Sequence, residues 1–199
     1  YRLNFAYKKI SVNAEGSTRS SAFTEFEKSA RVMSKYLQTH GIPEKEITLS
    51  SVDISKRTKD FWDEDSRKYV TLEDGFSVSQ TFTVSSNDLK RVEGVYQRIS
   101  ELYNSGMDFS SEKPLYYYTK LNDLKMEMLN QASANAYERA QTIAKGSDSK
   151  VGSVVSSTMG VFQIVGLNSD EEYSWGGTFN TSSKEKVASI TVKTTYRVK

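Results

Sequence analysis

Apolar and polar positions along the chain recur with two periods, one of strands and one of helices. Leu3, Phe5 and Tyr7 alternate, and Ile10 and Val12 then take the opposite parity. This predicts a strand over Leu3–Val12 with a bulge or bend at Lys8-Lys9. Phe23, Phe26, Ala30, Met33 and Leu37 step by three and four, the spacing of one helix face, over Ser21–His40. Gly41 stops that helix, and Pro43 lies just beyond. Ile47–Ser55 reads as a strand with a slip of phase between Leu49 and Val52. Residues 56–67, KRTKDFWDEDSR, are polar between strand-like flanks and read as a long hairpin tip. The returning strand is the cleanest: Phe76, Val78, Phe82 and Val84 share one face, and Gln80 alone interrupts it.

Ser86 or Asn87 can cap a second helix over Asp88–Asn104, with Leu89, Val92, Tyr96, Ile99 and Tyr103 as its stripe. Met107 and Phe109 begin a strand reaching Leu115 or Tyr117. A third helix over Asn122–Lys145 carries Leu129, Ala132, Ala136, Ala140 and Ile143, small residues suited to docking against another element. Val151–Ile164 reads as a strand broken near Gly160, and 166–183 as a polar loop. Ala188, Ile190, Val192, Tyr196 and Val198 alternate in a last strand, with Thr194 in phase. The expected fold is therefore α+β: two β-α-β-β lobes, residues 1–86 and 107–199, with antiparallel sheets backed by helices. A connecting helix over 87–106 joins them within a single domain, 1–199.

Composition narrows the chemistry. Of 199 residues, 37% are hydrophobic and 12% aromatic, enough for a real core. The formal net charge is +2 and the basic residues are scattered, so no phosphate-tracking groove is expected and no nucleic-acid partner. No apolar run approaches the ~20 residues of a membrane-spanning helix. One histidine and no cysteine exclude disulfides, thiolate catalysis and Cys-ligated zinc. His40, alone at a helix end, has no neighbouring nucleophile arrangement. Phosphate-cradling glycine motifs are absent, so no cofactor is expected. Asp60, Asp63, Glu64 and Asp65 crowd one segment, yet without the glycine and distal glutamate of a calcium loop they read as a solvated tip. The start at Tyr1, without Met, reads as the chain left after a cleaved leader or after an artificial cut.

Aromatics in the two polar loops stand out. Phe61 and Trp62 sit among charges in 56–67, and Tyr173 and Trp175 in 166–183. Exposed aromatics of this kind anchor partners, because large aromatic area dominates interface energetics. These four are the candidate partner contacts. Lys8-Lys9 is expected to blunt the edge of the first strand, which leaves the loops as the contact surfaces. Tyr116, Tyr117 and Tyr118 are expected to pack beneath the third helix.

Four stretches together resemble a known family: YLQTHGIPEKEITLSSVDIS, GFSVSQTFTVSSNDLKRVEGV, AYERAQTIAKGSDSKVGSVVSS and GVFQIVGLNSDEEYSWGGTFNTSSKEKVASITVKTTYRV. Their order and spacing are similar to SIMPL-domain proteins, over about residues 10–199. Members often begin with a Gly-rich strand followed by Pro-Asp, where this chain reads FAYKKISVNAEGSTRS. The resemblance implies an exported protein of the periplasm or outer envelope, linked in some members to stress responses and oligomeric. It implies no agreed enzymatic activity and no catalytic residues. The expectation is a non-enzymatic, homo-oligomeric scaffold or binding module, with an envelope partner open. The competing expectation is a small-molecule binding or stress-sensing protein with a pocket between the lobes.

Overall fold

The computed structural model describes residues 3–172 and 174–199. In chain order the elements are β1 Phe5–Gly16, α1 Arg19–Thr39, β2 Ile47–Leu49, β3 Asp53–Asp63, β4 Lys68–Ser86, α2 Leu89–Arg98, β5 Asp108–Ser111 and β6 Leu115–Tyr117. They continue with α3 Leu121–Gly146, β7 Val151–Met159, β8 Gln163–Gly166, β9 Lys186–Ser189 and β10 Val192–Val198. Named strand pairs are antiparallel, and the fold is α+β. Two compact units divide the chain, Asn4–Leu115 and Tyr116–Lys199, the second including Leu3. Among the described residues no helix is long and apolar enough to cross a membrane.

In the first unit the sheet order is β2–β4–β1–β5, with β3 also paired to β4. β1 and β4 pair without a slip from Ala6↔Ser86 to Gly16↔Phe76. The expected bulge at Lys8-Lys9 is therefore absent. Alternation is unbroken: Ala6, Lys8, Ile10, Val12 and Ala14 all point inward and are buried. Lys8 occupies a core position that hydrophobic counting mistakes for a change of phase. Nor does it blunt an edge, since β1 is an inner strand between β4 and β5. Its Nζ donates to Ser111 Oγ and to the Glu112 carbonyl, each at 2.6 Å, and lies 4.6 Å from the Tyr96 ring. Burial pushes its pKa down to about 8, with the Glu112 carboxylate pulling the other way.

α1 starts with a reciprocal cap: Thr18 Oγ1 accepts from the Ser21 N–H, and Ser21 Oγ accepts from the Thr18 N–H. It ends at Gly41, whose φ of 77° lets the Gly41 and Ile42 N–H groups return to Gln38 and Leu37 carbonyls. Ala22, Phe26, Met33, Tyr36 and Leu37 face the core, while Phe23 lies at the margin. They meet Ile10 and Val12 of β1 and Val78, Phe82 and Val84 of β4 in the core. The expected phase slip after Leu49 is a true break between β2 and β3. Gln80 interrupts the apolar face of β4 because its Nε2 donates to the Ser50 carbonyl at that break, while Ser50 Oγ accepts from the Thr81 N–H.

α2 is capped by Asp88 and belongs to the first unit, packed against β1 and β4, where the sequence reading makes it a connector. After Arg98 the chain tightens into a 3₁₀ turn over Ile99–Ser105. The three-residue period puts Leu102 next to Ile99 in the core and leaves Tyr103, expected in the stripe, exposed.

The second unit is thinly covered. α3 places Ala132, Ala136 and Ala140 half-buried and Ala144 buried, and Tyr137 meets Tyr196 of β10 at 5.7 Å between rings. Ile143, expected on that stripe, is 75% exposed. The last expected strand is two strands: β9 pairs with β8, and β10 pairs with β7. Gly160 does mark the break between β7 and β8, its N–H reaching the Thr191 carbonyl.

Candidate functional site

Residues 56–67 are not a loop. β3 runs through Asp63, β4 resumes at Lys68, and the turn is Glu64–Arg67 alone. Ladder pairing continues from Thr58↔Glu73 to Asp63↔Lys68, so the polar stretch is half of a two-stranded arm. Polarity misled the reading because strand residues exposed on both faces need no apolar alternation. Pairs that face each other share a face. Phe61 and Val70 lie on one side with Lys59 and Leu72, and Trp62 and Tyr69 lie on the other with Asp60 and Thr71. Phe61 and Trp62 therefore point in opposite directions.

Each arm face is organised by its own contacts. Trp62 and Tyr69 meet edge to face at 5.2 Å, and Lys59 Nζ stands 5.3 Å from the Phe61 ring. Thr71 Oγ1 donates to Asp60. At the tip, Asp63 accepts from the Asp65 N–H and the Ser66 hydroxyl, which lower its pKa, the Ser66 bond first. That carboxylate closes a turn. At the root, Arg57 bridges Glu15 at 2.8 Å and Asp74 at 3.2 Å. Lys56 bonds Glu73 and lowers its pKa. A bulge of Asp74-Gly75 sits between the ladder pairs Lys56↔Phe76 and Thr58↔Glu73. Gly75 has φ 88°, and a Cβ there would lie 2.3 Å from the Gly16 carbonyl oxygen.

The arm nevertheless exposes its apolar groups. Phe61 is 45%, Trp62 50% and Tyr69 73% exposed, and Val70 and Leu72 are exposed too. Sequence reasoning missed Tyr69, Val70 and Leu72. The strand-forming run YVTL just past the turn was the signal for them.

Trp175 belongs to the second unit and is 98% exposed. Its loop is pinned beneath. Gln163 Oε1 accepts from the Thr178 N–H at 2.6 Å, and its Nε2 donates to the Ser174 carbonyl at 2.7 Å. Glu171 accepts from the Gly166 N–H and the Asn180 amide, which lower its pKa, the Gly166 bond first. Lys186 Nζ donates to the Asn180 carbonyl and to Asn180 Oδ1, and burial pushes its pKa down to about 8 against the pull of Glu171. Ser174–Gly177 closes the tip, so a fixed hub displays a solvated indole. Tyr173 lies outside the described residues.

His40 is committed locally. Its Nδ1 lies 2.9 Å from the Tyr36 carbonyl, and Nε2 lies 3.5 Å from Glu101. Among the described residues no cluster of three or more His, Asp or Glu is placed to hold a metal. The family model described as SIMPL, a protein of unknown function (DUF541), matches residues 5–199. No curated protein matches the chain.

Proposed function

From the premise that the chain belongs to the SIMPL family, we propose that it is a non-enzymatic assembly module of the cell envelope. It forms a homo-oligomer through its β-arm, serves there as a scaffold or binding module, and is linked to stress response. One observation carries this reading: an ordered two-stranded arm with apolar groups exposed on both faces. Isolated two-stranded ribbons are marginal in water, and a packing partner supplies the buried face they lack. Aromatic groups on opposite sides suit insertion between two neighbouring subunits better than docking on one flat surface. A chain without cysteine suits an oxidising compartment, and the family resemblance supports the envelope setting.

The chain has two tryptophans, Trp62 and Trp175. In a Trp175→Phe variant, emission reports the arm alone. It should shift to the blue as protein concentration rises and Trp62 leaves water. Emission that is independent of concentration across the assembly range contradicts the proposal.

A further inference from the structure

α1 does not cover the whole sheet of the first unit. Where β2 adds Leu49 beside Phe82 at the sheet edge, an open groove of about 410 Å³ lies between the helix and the strands. Small-molecule sites span ~300–1,000 Å³. Phe26 and Phe82 are buried at its base, and Phe23, Ala30 and Leu49 line it above them. Phe23 is 38% and Leu49 50% exposed, so apolar surface is solvated on both the helix and the strand side. Among the helix residues lining it, Phe23, Glu27, Arg31 and Lys35 step by four along one flank of α1.

Charge gives the groove a direction. Arg31 and Lys35 are one turn apart, and neither is in any ion pair among the described residues. Glu27 lies one turn nearer the Phe23 end and would repel an anion there. From Phe23 to Ala30 the helix rises about 10 Å, the scale of a medium-length acyl chain. Two adjacent cations at one end of a short apolar trough match one carboxylate on one such chain.

We infer that this groove binds a medium-chain monocarboxylate, with the chain between α1 and Leu49 and the carboxylate at Arg31 and Lys35. The inference concerns a different surface from the arm and does not rest on assembly.

The probe is decanoate below its micelle concentration, titrated into isotope-labelled full chain and followed by amide chemical shifts. Decanol is the uncharged control. Saturable shifts should centre on 23–38 and on Leu49, Gln80 and Phe82. The Arg31→Gln, Lys35→Gln double variant should bind decanoate about tenfold more weakly, the scale of two partly exposed charge contacts, and decanol unchanged. Leu49→Ser, at a half-exposed position, should weaken both. Absence of saturation, shifts centred elsewhere, or equal decanoate affinity in the double variant overturns the inference. So do shifts at the same residues on raising protein concentration alone, which would give the groove to a second copy.

Discussion

β4 passes through two environments, an inner position between strands of the sheet body and one half of a two-stranded arm. In its C-terminal half, Val78, Phe82 and Val84 lie under α1 and are at most 2% exposed. In its N-terminal half, Tyr69, Val70 and Leu72 alternate on the arm and are 73%, 39% and 50% exposed. The residue types are equally suited to strands in both halves. A helix covers one face of the first half, and none covers the second. Alternation thus assigns side chains to faces, and only the neighbouring element decides whether a face is dry. The sheet body is a stability element, whereas the arm is surface held in a fixed shape by its root and its turn.

Substitutions of similar size should therefore have very different costs in the two halves. Phe82→Ala should be the most damaging, at about 3–5 kcal/mol by urea unfolding, from lost burial plus the cavity left under α1. A loss below about 1 kcal/mol would mean that the core is not where we place it. Gly75→Ala should come next, at about 2 kcal/mol or more, because a Cβ meets the Gly16 carbonyl at a positive φ. A neutral result would show that the arm root is loose.

Lys8 gives a pH test of the body. Its folded pKa of about 8 lies below the ordinary 10.5, so the folded state holds fewer protons than the unfolded state between those values. Stability should then rise from about pH 8 upward, by on the order of 1–3 kcal/mol. Lys186 acts in the same direction. Tyr36, pushed up to about 12 by burial, reverses the trend above pH 10, because the unfolded chain ionises first. Lys8→Met should remove part of the rise. Urea midpoints that are flat from pH 8 to 10 in the wild type would contradict the buried placement. On the arm, Phe61→Ala with Trp62→Ala should change monomer stability by no more than about 0.5 kcal/mol, the smallest effect of the series.

The elements with a covered face were legible in the chain. Alternation through Phe76–Val84 and the three-four spacing from Phe26 to Leu37 are consequences of burial, so they report it. Where burial stops, the code stops as well. KRTKDFWDEDSR forms strand without an apolar face, and its polarity reads as loop. Lys8 was misread for the opposite reason: a charged residue held by Ser111, Glu112 and Tyr96 from distant parts of the chain has no local signal. The change from α to 3₁₀ geometry after Arg98 moved Tyr103 out and Leu102 in, a choice made by packing rather than by local spacing. Of the candidate contacts, Phe61, Trp62 and Trp175 were found as aromatics among charges, while their opposite faces and the Tyr69–Leu72 strand came only with the ladder register.

The claim that the arm is an assembly surface is tested most directly by molar mass. Size-exclusion chromatography with light scattering should give a mass above one chain for the wild type. The Phe61→Ala, Trp62→Ala variant, with an unchanged circular dichroism spectrum, should lose that mass. A wild type that is monomeric at high concentration contradicts the account. So does a variant that unfolds, because these aromatics would then belong to the core.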